Sequence, residues 1–164
     1  MNDSQTVAVG LGELAVGSAA EDLLVCYGLG SCVGIAAYDP VSRVGGLAHV
    51  VLPDSALAHG QDKEAKFADT AVPALLARLK AGGANPNRLV IRIAGGAQML
   101  GSSPLASRLD IGLRNTEAVK AALTKAGLWV AAEDVGGNYG RTMRLYIGPG
   151  RVHVSTIGRG EKDL

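Results

Sequence analysis

Two side chains able to carry nucleophilic acyl chemistry stand seventeen residues apart in this sequence. Cys32 closes a glycine-framed turn, Gly28-Leu29-Gly30-Ser31-Cys32, that runs directly into the apolar stretch Val33-Gly34-Ile35-Ala36-Ala37-Tyr38. His49 interrupts a second apolar stretch, Gly46-Leu47-Ala48-His49-Val50-Val51-Leu52-Pro53. A thiolate attacks a carbonyl carbon while an imidazole moves the protons, so a cysteine and a histidine on adjacent strands form the simplest pair for this chemistry. A thiol at the mouth of a turn can be reached by a substrate, whereas a mid-strand thiol usually cannot. The chain has only 2 cysteines and 3 histidines in 164 residues, so the candidates are few. Glycines allow backbone conformations closed to other residues. A compact turn of this kind can aim several N–H groups at one point, which makes Gly30 and Ser31 candidates to hold the oxyanion of a tetrahedral intermediate.

Each residue also has a plainer reading. Free cysteine is often a small buried hydrophobe, and a histidine inside an apolar strand is commonly a hydrogen-bonded core residue. Leu47, His49 and Val51 share one strand face by the period of two. If Cys32 begins the neighbouring strand, His49 lies within its reach. The residues alone leave both readings open.

Other chemistries have less support. Cys26 and Cys32 are separated by five residues, unlike the C-x-x-C of redox and zinc motifs. A metal site would need ligands from His59 and His153, and neither has a motif around it. Gly28-Leu29-Gly30-Ser31-Cys32-Val33 lacks the third glycine of a dinucleotide loop, and no Gly-Lys-Ser/Thr occurs, so nucleotide binding has little support.

The elements that must position these residues are legible in outline. Strand-like runs cover Thr6 to Val9, Leu23 to Tyr27, Cys32 to Tyr38 and Gly46 to Leu52, the last two apolar on both faces and so expected to be covered on both sides. Asp39-Pro40-Val41-Ser42-Arg43 reads as a tight connection between them. A polar loop from Asp54 to Asp62 leads into a helix with the stripe Val72, Leu75, Leu76 and Leu79. Pro73 fits it in the first turn or at a bend, and Gly82-Gly83 ends it. Leu89 to Ala94 reads as a strand ending in Gly95-Gly96-Ala97. A second helix, capped by Asn115 or Thr116, carries Val119, Ala122, Leu123 and Ala126 and ends at Gly127. Leu128 to Val135, Arg141 to Ile147 and Arg151 to Ile157 complete the strands, and the charged tail from Gly158 to Leu164 is expected to be mobile. Gly95-Gly96 and Gly136-Gly137 either frame a substrate groove or are plain turns. The expected fold is mixed α/β (α+β), with sheet predominating and helices packed outside.

Composition bounds the rest. A chain of 164 residues with 48% apolar and 19% charged residues is expected to be one folded domain. The formal net charge of +1 and the lack of a basic block argue against nucleic-acid binding. The polar start, Met1-Asn2-Asp3-Ser4-Gln5, is unlike a signal peptide, and no apolar run approaches the roughly 18 residues that span a bilayer. A cytoplasmic location with both cysteines as thiols is the expectation.

Taken in order along the chain, these residues resemble the CheD family, the chemoreceptor glutamine deamidases of bacterial and archaeal chemotaxis. The likeness is carried by Gly28-Leu29-Gly30-Ser31-Cys32-Val33, Ala48-His49-Val50-Val51-Leu52-Pro53-Asp54-Ser55 and Lys66-Phe67-Ala68-Asp69-Thr70-Ala71-Val72. It continues through Ile93-Ala94-Gly95-Gly96-Ala97-Gln98-Met99, Ile111-Gly112-Leu113-Arg114-Asn115 and Ala132-Glu133-Asp134-Val135-Gly136-Gly137-Asn138. The resemblance spans about residue 7 to about residue 158. It implies a single domain with a layered sandwich fold related to toxin deamidases, conversion of receptor glutamines to glutamate with release of ammonia, and no cofactor. It also implies Cys32 as nucleophile and His49 as its histidine. The expected partners are methyl-accepting chemotaxis receptors as substrate and a CheC-type phosphatase. The alternative is a chiefly non-catalytic protein that modulates such a phosphatase. One position departs from the family pattern: a threonine is usual six residues before the nucleophile as the third catalytic member, and here Cys26 stands there.

Overall fold

A computed structural model describes residues 5–164; Met1 to Ser4 of the polar start lie outside the described residues. In chain order the strands and α-helices are β1 (Thr6–Ala8), β2 (Leu14–Gly17), β3 (Leu23–Leu29), β4 (Val33–Asp39), β5 (Val44–Val50), α1 (Ala68–Ala81), β6 (Val90–Gly95), α2 (Pro104–Arg108), α3 (Ile111–Lys125), β7 (Val130–Val135), β8 (Arg141–Tyr146), β9 (Arg151–Thr156) and β10 (Gly160–Asp163). The strands form two five-stranded sheets, in the orders β1-β3-β8-β9-β10 and β2-β5-β4-β6-β7. Each is mixed: β1 runs parallel to β3 and β6 parallel to β7, while the other pairs are antiparallel. The expected α+β layered sandwich is therefore what the chain adopts.

Side-chain alternation builds the layers. On β4, Val33, Ile35 and Ala37 join Val72, Leu75 and Leu79 of α1 and Val119 and Leu123 of α3 in one core. The intervening Ala36 and Tyr38 join Leu24, Cys26, Leu29, Met143 and Leu145 of the first sheet in a second. Helices thus cover one face of the second sheet, and the first sheet covers the other. Every residue of β4 and β5 is buried, as their two-sided apolar pattern requires. Burying one such aliphatic side chain stabilises the fold by about 1.5–3 kcal/mol.

The β4–β5 turn is secured by Asp39, which is fully buried. Its carboxylate accepts from the Val41 and Asn85 amides at 2.9 and 2.8 Å and from Arg88 Nε and a terminal guanidinium nitrogen at 3.0 and 2.8 Å. The Arg88 guanidinium holds that carboxyl far below the usual carboxylate range.

Several elements differ from their sequence outlines. Helix α3 starts at Ile111, a turn before the expected Asn115 or Thr116, because Asp110 caps it by accepting from Leu113 N at 3.0 Å. Asn115 and Thr116 instead lie on its buried face. Pro73 is the sixth residue of α1, on the exposed side, where the Asp69 carbonyl forgoes its intrahelical partner. Strand β2 and helix α2 have no counterpart in the outline. Gly160–Asp163, expected in a mobile tail, pair with β9 as an edge strand, where Asp163 binds Arg151 and His153 at 2.9 and 3.0 Å.

Candidate active site

The β4–β5 register sets the relation of the two reactive side chains. Gly34 lies directly opposite His49. Cys32 precedes Gly34 by two residues and so shares its face, turned toward the first sheet; Cys32 packs against the inter-sheet core. Cys32, the residue just before β4, and His49 on β5 are therefore diagonal neighbours, with backbones roughly 7–8 Å apart. Gly34, between them along the strand face, has no side chain of its own, and Met143 and Leu29 of the first sheet close over it. A Cβ placed there would stand 2.8 Å from Met143 Sδ, 3.2 Å from Leu29 Cδ1 and 3.8 Å from Cys26 Sγ. Cys26 thus borders the same glycine from the opposite sheet. It can do so alongside Leu29 because a bulge between them shifts the pairing of β3 with β8, with Gly28 at a φ of 63°.

Three consecutive carbonyls anchor the turn that carries the thiol. Gly30 O accepts from Ala97 N at 2.8 Å, Ser31 O from Asn115 Nδ2 at 2.9 Å and Cys32 O from Gly96 N at 2.8 Å. A trans peptide points its N–H opposite to the carbonyl it follows. The Ser31 and Cys32 N–H groups are therefore turned away from the Ala97 and Asn115 anchors. Ser31 also borders a cleft of about 120 Å³ with Ala97, Met99, Leu109 and Ile111 among its walls.

The glycines at the ends of β6 and α3 serve this anchoring. A Cβ at Gly95 would collide with Cys32 O, and one on Gly112 would stand 2.6 Å from Gly96 O. Gly95 and Gly96 have φ of 112° and 64°, and Gly136 and Gly137 have 84° and 72°, so all four positions need glycine for conformation.

Protonation follows from the surroundings. His49 is 2% exposed, and its Nδ1 lies 2.9 Å from Val9 O. A carbonyl can only accept, so Nδ1 carries the hydrogen and Nε2 keeps the lone pair of the neutral ring. Among the described residues Nε2 has no hydrogen-bond partner. Burial lowers the imidazole pKa, with Val9 O and Glu13 opposing the shift. Burial pushes the Cys32 thiol up, partly offset by its own backbone N–H. Cys26 is fully buried, and burial, followed by the proximity of Cys32, pushes its thiol far above the ordinary range. Both cysteines are free thiols.

The remaining histidines lie elsewhere. His59 sits in the exposed loop before α1, and His153 pairs with Glu161 and Asp163 on the β9–β10 edge. Asn115, expected only as a helix cap, is fully buried, and the same nitrogen that binds Ser31 O also donates to Val51 O at 2.9 Å. A sequence signal for this placement exists: the α3 stripe of Val119 and Leu123, continued back by helical spacing, lands on Asn115 and Thr116.

Comparison with known proteins settles the family. The family model described as CheD chemotactic sensory transduction matches residues 51–156. A protein of Symbiobacterium thermophilum is 55% identical across 100% of both chains. The chain belongs to the CheD family. CheD relatives from Caldanaerobacter subterraneus, 44% identical over 99% of both chains, and Desulforamulus reducens, 45% identical over 93% of this chain and 91% of its own, show the same likeness. All three carry the name probable chemoreceptor glutamine deamidase CheD. The family model begins beyond Cys32 and His49, whereas the match to the Symbiobacterium CheD runs through both.

Proposed function

We propose that this chain deamidates glutamine side chains on the cytoplasmic helices of chemoreceptors, with Cys32 as nucleophile and His49 as acid and base. The observation that carries this reading is the placement of Cys32, just before β4, diagonally across from His49 on β5, with Gly34 directly opposite His49. Membership of the CheD family supports the substrate class.

In this reading His49 Nε2 takes the Cys32 proton, and the thiolate attacks the carboxamide carbon of a receptor glutamine. The Ser31 and Cys32 N–H groups, together with Gly30 in the same turn, hold the oxyanion. Imidazolium then protonates the departing nitrogen, which leaves as ammonia, and a thioester remains. Water, deprotonated by His49, attacks the thioester; glutamate forms and Cys32 is released. Cys26 enters as a neutral S–H at the family threonine position, a weaker hydrogen-bonding group than a hydroxyl.

A second reading, binding and modulation of a CheC-type phosphatase, draws on the surface beside the turn. Met99, Leu100, Leu105, Leu109 and Leu113 are all exposed, by 44% to 65%, and an apolar surface of this kind fits a protein partner.

One experiment separates the two readings. A purified receptor cytoplasmic fragment is incubated with the protein or with Cys32→Ala, and its intact mass is measured. A gain of about one dalton per converted glutamine, absent with Cys32→Ala, is the result expected of cysteine catalysis. No gain with reduced, folded protein, alongside retained phosphatase binding, would favour the interaction reading.

A further inference from the structure

Asn115 is a polar side chain on the buried face of α3, which it shares with Gly112, Thr116, Val119 and Leu123. It is fully buried, and its only side-chain nitrogen donates to two backbone carbonyls from different segments, Ser31 O and Val51 O, each at 2.9 Å. The orientation of the carboxamide is fixed by chemistry. Both partners are acceptors, so a flipped amide would set its oxygen against two carbonyl oxygens. The arrangement has a cost, because Oδ1 has no hydrogen-bond partner among the described residues. An aliphatic residue would fill this place without stranding a buried acceptor. What the amide provides is a connection. Ser31 is bonded directly to Cys32, and Val51 lies two residues beyond His49, just past the end of the strand that carries it.

We propose that Asn115 is a positioning residue, whose single carboxamide ties the turn bearing Cys32 to the strand bearing His49. The β4–β5 ladder ends at Val33 and Val50. Beyond that pair the turn and the continuing strand have no ladder bonds between them, and the spacing of thiol and imidazole depends on this bridge from α3. The other anchors of the turn, from Gly96 N and Ala97 N, hold it to the end of β6 but not to the histidine strand. The inference rests on the Cys32–His49 reading above.

The test uses Asn115→Ala and Asn115→Asp in the full chain. The aspartate is close to isosteric but, once ionised, donates nothing and faces two carbonyl oxygens. Two readouts are followed: deamidation of a receptor fragment, and alkylation of Cys32 by iodoacetamide as a function of pH, located by peptide mass. The expectation is a fall in kcat of about 10- to 100-fold, as for a small misplacement of reacting groups, with KM changed less than about twofold. The pH midpoint of Cys32 alkylation should rise, because the imidazole is held less well within reach of the thiolate. Wild-type kcat and an unmoved alkylation midpoint in either folded variant would overturn the proposal. So would failure of both variants to fold, since Asn115 would then act through stability alone. The alkylation profile needs no receptor. A wild-type protein that does not deamidate would therefore count against the Cys32 reading, while the alkylation midpoints still test the tie on their own.

Discussion

The two faces of strands β4 and β5 make unlike cores from one stretch of chain. Toward the helices, Val33, Ile35, Ala37, Ala48 and Val50 pack in a cluster of aliphatic and alanine side chains. Toward the other sheet, the same strands present Gly34, Ala36, Leu47 and His49, with Cys32 at the end and Cys26 across from the glycine. The first face gains stability by close packing. The second carries a glycine that Met143 and Leu29 close over, an imidazole whose Nε2 has no hydrogen-bond partner among the described residues, and a thiol in a partly open turn. Because successive side chains alternate, one strand pair can hold a packed scaffold on one face and the candidate site on the other.

That contrast is broken most directly by exchanging what each face tolerates. Gly34→Val puts a side chain between Cys32 and His49 and against Met143 Sδ. Deamidation is expected to fall by at least about 100-fold, with a stability loss of about 1–3 kcal/mol from overpacking. Ile35→Ala, one residue on and facing the helices, should do the reverse. It is expected to cost about 2–5 kcal/mol in denaturant titration while kcat per folded molecule stays near wild type. A large activity loss in Ile35→Ala at full folding would show that the two faces are not independent.

The buried imidazole sharpens the same comparison through pH. Burial depresses the His49 pKa below its ordinary 6.5, so below that value the unfolded chain binds more protons than the folded one. The associated stability is present above about pH 6.5 and is lost as pH falls toward the depressed folded value. Thermal melts from pH 7 to pH 5 should show a falling Tm, with a shallower fall in His49→Gln. Equal slopes would mean that other groups carry the acid sensitivity.

The smallest effect is expected at Cys26. Cys26→Thr exchanges a neutral thiol for a better hydrogen-bonding group in almost the same volume. Deamidation should stay within a few-fold of wild type or rise, as steady-state rates on the receptor fragment would show. A loss of 100-fold or more would indicate that the sulfur itself is needed.

How much of the molecule is legible in its sequence varies with the reach of each interaction. The burial of β4 and β5 on both faces, the stops of both long helices at Gly82-Gly83 and Gly127, and the shared face of Leu47 and His49 all follow from local spacing. Strand β2 escapes such a reading because Leu14–Gly17 is short and only half-buried for most of its length. Strand β10 escapes it because Glu161 and Asp163 resemble a solvated tail until His153 and Arg151 lie beside them. The start of α3 reads too late because Asn115 and Thr116 are good caps in isolation; the stripe of Val119 and Leu123 points to their burial, but the partners of Asn115 lie far away in sequence.

By itself, then, the sequence determined which residues could do chemistry and which face of its strand each would occupy, since alternation is a property of the chain alone. Tertiary structure decided which strands meet and in what register. It set Gly34 opposite His49, brought Cys26 to that glycine from another sheet, and led one helix amide to two distant carbonyls. Those relations arise from hydrogen bonds and packing between segments far apart along the chain, and no local pattern encodes them.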